Sequence, residues 1–257
     1  GPLPGDIWDG GDLRGRTLLV HSEQGFGDTI QFIRYAPLLA ARGARGFVEC
    51  QAELRRLLEG AAGIERLLVL GEERPAADRR TLMMSLPAKM GTTLTTIPAS
   101  GAYLRAPAEA CARWRERLRG DGAGLKVGLV WAGNPRHKND RNRSMALAML
   151  APLGAVAGVN FYSLQKGPAA GQVGESGGFR LIDHAEHLTD FAETAGLIEQ
   201  LDLVIAVDTA VAHLAGAVGK TVWLMLPRAA DWRWLLERED SPWYPMMRMV
   251  RQKRRGD

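Results

Sequence analysis

The sequence predicts an α/β protein made of two Rossmann-like domains that face each other across a cleft. Three observations predict it. Short apolar, β-rich runs alternate with helical periodicity, the pattern of a parallel sheet covered on both faces. Glycine is abundant, 30 of 257 residues, and much of it falls just after apolar runs, where strand-to-helix turns belong. The strand–helix grammar lapses from Thr92 to Pro107 and then restarts after Gly124 with the same order of elements but no repeat of sequence.

The first domain spans residues 1–107. Its start, "GPLPGDIWDG", has neither the charged n-region nor the apolar h-region of a signal peptide and reads as an extended lead-in. "RTLLVH" (Arg16–His21) is the first strand. After a glycine turn, "TIQFIRYAPLLAARG" puts Ile30, Ile33, Leu38 and Ala41 near helical spacing, with Gly43 at the C-cap. "GFVEC", "IERLLVL" and "TLMMSLP" supply the second, third and fourth strands. Residues 108–124 form a linker: "CARWRERLRG" is an amphipathic helix, and "GDGAG" ends it.

The second domain spans residues 125–257. "LKVGLVWAG" is a strand entering a loop, and "SMALAMLAPLGAV" a helix with Ser144 at its N-cap. "VNFYSLQKG" is strand then loop, "FRLID" a strand, and "DFAETAGLIEQL" a helix. "DLVIAV" is a buried strand, "DTAVAHLAGAVG" the helix after it, and "KTVWLML" the last clear strand. Ligands of such folds gather at the C-terminal ends of the strands.

Composition narrows the function classes. Hydrophobic content of 46% against 24% charged residues describes an ordinary globular chain with a sizeable core. The net charge is only +4, and much of it comes from "RMVRQKRRGD" at the C-terminus, which reads as a solvated end. No RNA-binding signature or zinc spacing accompanies it, so no nucleic-acid partner is expected. Cys50 and Cys111 stand far apart in no metal spacing, which fits a reducing cytoplasm. No apolar run approaches the ~20 residues that span a bilayer, so the expected location is cytoplasmic, compatible with peripheral attachment at the inner face of the membrane.

The first loop, "HSEQGFGDTIQF", imitates a dinucleotide cradle. Gly25 and Gly27 fit, but the third fingerprint position is Ile30. Glu49, ending the second strand, stands where a ribose-binding acid belongs, which keeps an NAD-dependent oxidoreductase as one reading. Asp28 argues against it: a carboxylate in the first helical turn takes the anion position itself. Asp28 is either a helix cap or a general base facing the cleft. Glu23 and Gln24 on the same loop are either acceptor-side groups or solvated loop residues.

The second-domain loops carry a second set of candidates. Asp208 ends an apolar strand, and Thr209 opens a helix bearing Ala210, Ala212, Ala215, Gly216 and Ala217. Small residues there admit a ligand to free backbone N–H groups, or serve tight helix–sheet packing. His213, one turn in, either reaches the cleft or is structural. "WAGNPRHKNDRNRS" holds Arg136, Lys138, Arg141 and Arg143, a cationic loop suited to phosphate charge. "SLQKG" sets Gln165 and Lys166 at the next strand end, and "ADWRWLLEREDSPWYP" offers Trp232 and Trp234 as cleft-lining or packing aromatics.

Taken in order, "EQGFGDTIQFIRYAPLL", "VGLVWAGNPRHKNDRNRS", "SLQKG", "LDLVIAVDTAVAHLAGAVGKTVWLMLP" and "DWRW…SPWYPMMRMVRQ" resemble the glycosyltransferase domain at the C-terminus of bacterial tetratricopeptide-repeat proteins. That domain is related to the heptosyltransferases of glycosyltransferase family 9. The resemblance runs from Trp8 to Gln252. It implies a GT-B fold, a nucleotide-sugar donor held by the second domain, and metal-independent inverting transfer of a hexosyl or heptosyl group with no further cofactor. It also implies a glycan or protein acceptor and a repeat domain in the full-length protein. Asp28 matches the base of the family's "LGD" loop, with Glu23, Gln24, Gly25 and Gly27 on the acceptor side. Asp208, Thr209, Ala210 and His213 match the donor-binding "DTG..H" loop, Arg143 or Lys138 the phosphate-binding cation, and Gln165, beside Lys166, a donor-binding acid. Ala210 replaces the motif glycine and Gln165 is not acidic. The competing readings are a non-catalytic nucleotide-sugar-binding or interaction module and the NAD-dependent oxidoreductase.

Overall fold

The computed structural model describes residues 2–99, 101–175 and 178–254. β1 (Asp6–Ile7), β2 (Thr17–His21), β3 (Arg45–Cys50), β4 (Arg66–Val69) and β5 (Arg79–Leu82) pair in parallel, in the order β1-β5-β2-β3-β4. β6 (Leu125–Val130), β7 (Val159–Ser163), β8 (Leu181–Asp183), β9 (Leu203–Val207), β10 (Val222–Leu226) and β11 (Met247–Arg251) make a second parallel sheet, ordered β11-β10-β9-β6-β7-β8. The unbroken apolar runs follow from this topology. Val204, Ile205, Ala206 and Val207 are all buried, because a central parallel strand is covered on both faces.

The helices are α1 (Phe26–Phe32), α2 (Ala36–Ala41), α3 (Arg55–Leu58), α4 (Leu86–Lys89), α5 (Ala108–Arg117), α6 (Asp140–Arg143), α7 (Phe191–Glu199) and α8 (Ala210–Ala217). Several expected elements change on folding. The helix after β2 is interrupted: Ile33–Tyr35 tightens into a 3-10 turn, and Pro37 lies at the start of α2. The tighter turn shifts the helical phase, so Leu39 points inward with Ile30 and Ile33, while Leu38 and Ala41 are exposed. Gly43, with φ 81°, does follow the helix end.

The fourth strand lies upstream of its expected place, and Met83–Ser85 is a 3-10 turn instead. The lead-in contributes β1, and the basic C-terminal run contributes β11. Met247 and Met249 of β11 point into the core, so that run is not merely a solvated end; its last residues, 255–257, lie outside the described residues. Ser144 caps no helix. Its Oγ accepts from Gly133 N at 2.8 Å, and Leu147–Ala155 is 3-10 rather than α-helical, with Pro152 inside it.

One buried apolar cluster runs from Trp8 and Leu18, on the side of the first sheet, to Trp234 and Met249, on the side of the second. The linker helix α5 packs on α7 so closely that a Cβ on Gly196 would come within 2.8 Å of Trp114 Cδ1. Trp114 Nε1 also donates to Glu193 Oε2 at 3.1 Å. Tyr103 N and Leu104 N both donate to Ala217 O, at 2.9 and 3.1 Å, which ties the preceding segment to the end of α8.

Candidate active site

β2 and β9 each end at the C-terminal edge of their sheet and turn through a short loop into α1 and α8. The starts of these two helices touch. A Cβ on Gly27 would lie 2.9 Å from His213 Cδ2 and 3.5 Å from Ala210 Cα. Gly27 has no positive φ, so closeness and not backbone conformation explains the glycine.

Asp28 occupies the third position of α1 and caps it, as one reading expected: Oδ2 accepts from Gly25 N at 3.0 Å. Its Oδ1 pairs with Arg233 Nη2. Arg233 comes from the 3-10 turn Trp232–Trp234 that follows β10, so the pair joins the helix after β2 to a segment beyond the second sheet's β10. Arg233 Nε donates to Gln31 Oε1 at 2.7 Å and Nη1 to Asp231 Oδ1 at 2.9 Å. Its guanidinium carbon lies 4.9 Å from the Trp232 ring and 5.7 Å from that of Phe32. Two carboxylates and a side-chain amide therefore compensate a charge that is only 9% exposed. Asp28 keeps 25% of its side chain exposed.

Across from it, Asp208 follows β9. Burial pushes its carboxyl above the usual range, while Arg143 and Arg233 draw it down. The Trp234 indole N–H lies beside this carboxyl without completing a hydrogen bond. Thr209 is the N-cap of α8 with φ −144° and ψ 168°, but its side chain does not cap. Its buried Oγ1 has no partner. The Thr209 side chain thus leaves the start of α8 uncapped, at the positive end of the helix.

His213 is a structural residue in this arrangement. Nδ1 shares a hydrogen bond with Tyr244 Oη at 2.8 Å, and the ring stacks on Trp234 with centroids 5.3 Å apart. Nε2 is 3.8 Å from Asp208 Oδ1. Burial, and then Arg233, Arg34 and Arg143, hold its pKa well below the ordinary 6.5. The small residues of α8 also serve packing: Gly216 admits the Tyr244 ring, and Ala210 lies under Gly27.

The basic loop delivers one cation to this place. Arg143 Nη1 donates to Asp208 O at 2.8 Å, and Nε bonds Asp140 Oδ1 at 3.1 Å. Gly133 leaves room for it, since a Cβ there would meet Nη2 at 2.5 Å. Lys138, Arg136 and Arg141 are exposed. Gln165 is 2% exposed and works as a clamp: Oε1 accepts from Trp131 N and Ala132 N, and Nε2 donates to Ala132 O and Lys166 O. Every amide valence is thereby directed at backbone. Lys166 Nζ donates to Ala185 O at 2.8 Å.

On the first loop, Glu23 accepts from Met83 N and Met84 N, capping the 3-10 turn rather than facing the cleft. Gln24 is exposed, and its carbonyl accepts from Gln51 Nε2 at 2.8 Å. Glu49 is fully buried between His21 Nδ1, at 2.6 Å, and Arg74, so it is not presented to a ribose hydroxyl.

Sequence reasoning missed Arg233 and Arg34. Arg34 is 4% exposed. It donates to Gln31 O at 2.7 Å, Trp243 O at 2.6 Å and Tyr103 Oη at 2.9 Å. Its guanidinium lies 4.5 Å from the Tyr103 ring and 4.7 Å from that of Tyr244. An arginine inside an otherwise apolar helical run was the available signal. Among the described residues, no group of three His, Cys, Asp or Glu is placed to hold a metal ion, and no helix is long and apolar enough to cross a membrane.

No protein-family model matches the chain. It is 28% identical over 270 residues to Protein FlbA of Caulobacter vibrioides, covering 96% of this chain and 45% of FlbA. The chain therefore spans less than half the length of that curated relative. Its fold is that of solved glycosyltransferases. The glycosyl transferase family 9 structure from Veillonella parvula superposes with a TM-score of 0.69 at 10% identity, covering 94% of this chain and 87% of the other. The E. coli ADP-heptose lps heptosyltransferase II gives 0.61 at 13%, covering 91% and 90%. E. coli heptosyltransferase WaaC, solved with ADP-2-deoxy-2-fluoro heptose, gives 0.57 at 12%, covering 91% and 93%. The class is thus an α/β protein with two parallel sheets that matches GT-B glycosyltransferase structures.

Proposed function

We propose that this protein is a glycosyltransferase that moves a sugar from a nucleotide-sugar donor to a hydroxyl on a glycan or protein, with inversion and without a metal. The observation that carries the reading is the apposition of two unlike groups at one crossing. A partly exposed carboxylate, Asp28, starts α1, and the incompletely capped N-terminus of α8 abuts it. In this reading the donor diphosphate lies at Asp208, Thr209 and the first N–H groups of α8, with Arg143 beside it and Lys138 at the rim.

The acceptor oxygen attacks C1 of the sugar from the Asp28 side. Its proton passes to the Asp28 carboxylate, the new C1–O bond forms, and the bond from C1 to the phosphate oxygen breaks. The nucleoside diphosphate leaves with that electron pair. Guanidinium groups and helix N–H donors offset its charge, the role a metal fills elsewhere. A single displacement with one base gives inversion. The E. coli neighbour solved with an ADP-heptose analogue makes heptosyl donors the first to try. Attachment to a tetratricopeptide-repeat domain in the full-length protein, and a cytoplasmic setting, complete the proposal.

One observation favours a second reading. Arg233 already holds Asp28, and in a non-catalytic nucleotide-sugar-binding module that pair would be a permanent lock. Asp28→Asn separates the two. The proposed enzyme loses about 10²–10⁴-fold in turnover, the usual loss on removing a general base, without losing donor binding. Unchanged turnover would reject Asp28 as the base, and donor binding with no turnover in the wild type would favour the module.

A further inference from the structure

We infer that Arg233 exchanges partners during the reaction: it holds Asp28 before the donor arrives, then turns to the donor diphosphate and releases Asp28 to act as base. The inference rests on the reading that a nucleoside diphosphate sits at Asp208 and the start of α8.

The geometry places Arg233 between the two sites. Asp28 follows Gly27, and Gly27 lies against Ala210, the first residue of α8. The guanidinium on Asp28 is therefore held by the residue next to the one that touches the start of α8. Arg143, from the loop after β6, donates to Asp208 O, and Arg233, from the turn after β10, is followed by Trp234, whose ring stacks on His213 of α8, so both cations come from segments that touch the same helix.

The bonds of Arg233 are graded in a way that suits exchange. Nη1 is anchored to Asp231, two residues away on the same turn. Nη2, the nitrogen on Asp28, has as its other hydrogen-bond partner among the described residues the Met84 sulfur at 3.6 Å, a weak acceptor. A turn of the planar guanidinium toward a new partner also breaks the Nε bond to Gln31 Oε1 at 2.7 Å, while the bond to Asp231 lies within the same turn and can move with it. The fully buried Trp234 turns its indole N–H to the Asp208 carboxyl, and the Thr209 hydroxyl has no hydrogen-bond partner among the described residues. That hydroxyl is a donor a phosphate would complete. A diphosphate offers more charge than one carboxylate and matches the guanidinium fork, so it competes well for Arg233. Release matters chemically, because each oxygen of Asp28 already accepts one hydrogen bond, Oδ2 from Gly25 N and Oδ1 from Arg233 Nη2, and freeing Oδ1 opens a second lone-pair direction to the acceptor proton.

Calorimetric titration of inorganic pyrophosphate and of ADP, GDP and UDP into wild type, D28N, R233Q and the double variant tests this without knowledge of the acceptor. Asp28→Asn removes the competing charge, so the expected result is diphosphate binding about fivefold or more tighter, with Arg233→Gln about tenfold weaker, the scale of one charge-assisted bond. The double variant should match R233Q. Where R233Q fails to fold, R233K keeps the charge, loses the fork, and should shift affinity in the same direction. Unchanged or weaker binding in D28N overturns the exchange. So does tightening that persists in the double variant, since that reports relief of repulsion and not release of Arg233. Diphosphate binding by wild type with no gain in D28N rejects this inference alone. No binding of any of the four probes by wild type rejects it together with the functional reading beneath it.

Discussion

Gly27 of the first domain lies against His213 of the second, with room for no more than a hydrogen: a Cβ on Gly27 would come within 2.9 Å of the ring carbon Cδ2. The ring cannot retreat, because Tyr244 holds Nδ1 and Trp234 stacks on it. Gly27→Ala should therefore destabilise the protein by about 1–3 kcal/mol, the usual cost of overpacking, despite the helix propensity gained. Chemical denaturation checks it, and a variant as stable as wild type would mean that the helix starts slide apart freely.

His213 also sets a pH dependence. Its folded pKa is depressed well below 6.5, so the folded state binds fewer protons at this group than the unfolded chain does. The stability it contributes is present above the unfolded value and lost as pH falls below it, by at most about 1.4 kcal/mol per pH unit. Thermal melting between about pH 7.5 and 5 should show this decline. His213→Gln should lower the melting temperature at neutral pH and flatten the slope. An unchanged slope would show that other groups govern it.

Arg34 joins three segments far apart in the chain: its own, at Gln31, that of Tyr103, and that of Trp243 and Tyr244. Arg34→Lys keeps the charge but loses the planar fork and the ring contacts, so it should cost about 2–4 kcal/mol. Arg34→Ala should cost at least as much. The difference between the two, read by urea denaturation, separates geometry from bulk.

These residues mark what the sequence could and could not reveal. β2, β9 and the helices after them were legible because apolar runs, glycine turns and helical periodicity are local signals. Asp28 and Asp208 stood out because each lies where a strand passes into a helix, Asp28 in the first turn of α1 and Asp208 directly after β9. Arg233 was not, since its meaning comes from Asp28 and Gln31, contacts that leave no period in the chain. Gln165, Glu23 and Ser144 carried the right polarity at loop positions, but their partners are backbone N–H groups, and sequence does not announce where those groups converge. The 3-10 segment Leu147–Ala155 was misread as an α-helix because its apolar content concealed the effect of Pro152.

Glu49 decides the nicotinamide reading. It is buried against His21 and Arg74, so Glu49→Gln should destabilise by about 3–5 kcal/mol, the cost of breaking a buried ion pair. NAD(H) should give no thermal shift with wild type. A clear shift that vanishes in Glu49→Gln protein that is still folded would restore a dinucleotide site on the first loop.

The most direct test of the central claim is a thermal-shift panel of ADP-, GDP- and UDP-sugars on the wild-type protein, repeated with Arg143→Ala. A true donor at about 100 times its Kd should stabilise the fold by about 2.7 kcal/mol. At least one nucleotide sugar should give such a shift, reduced when Arg143 is removed from Asp208. No shift with any donor, or a shift indifferent to Arg143, would contradict that claim.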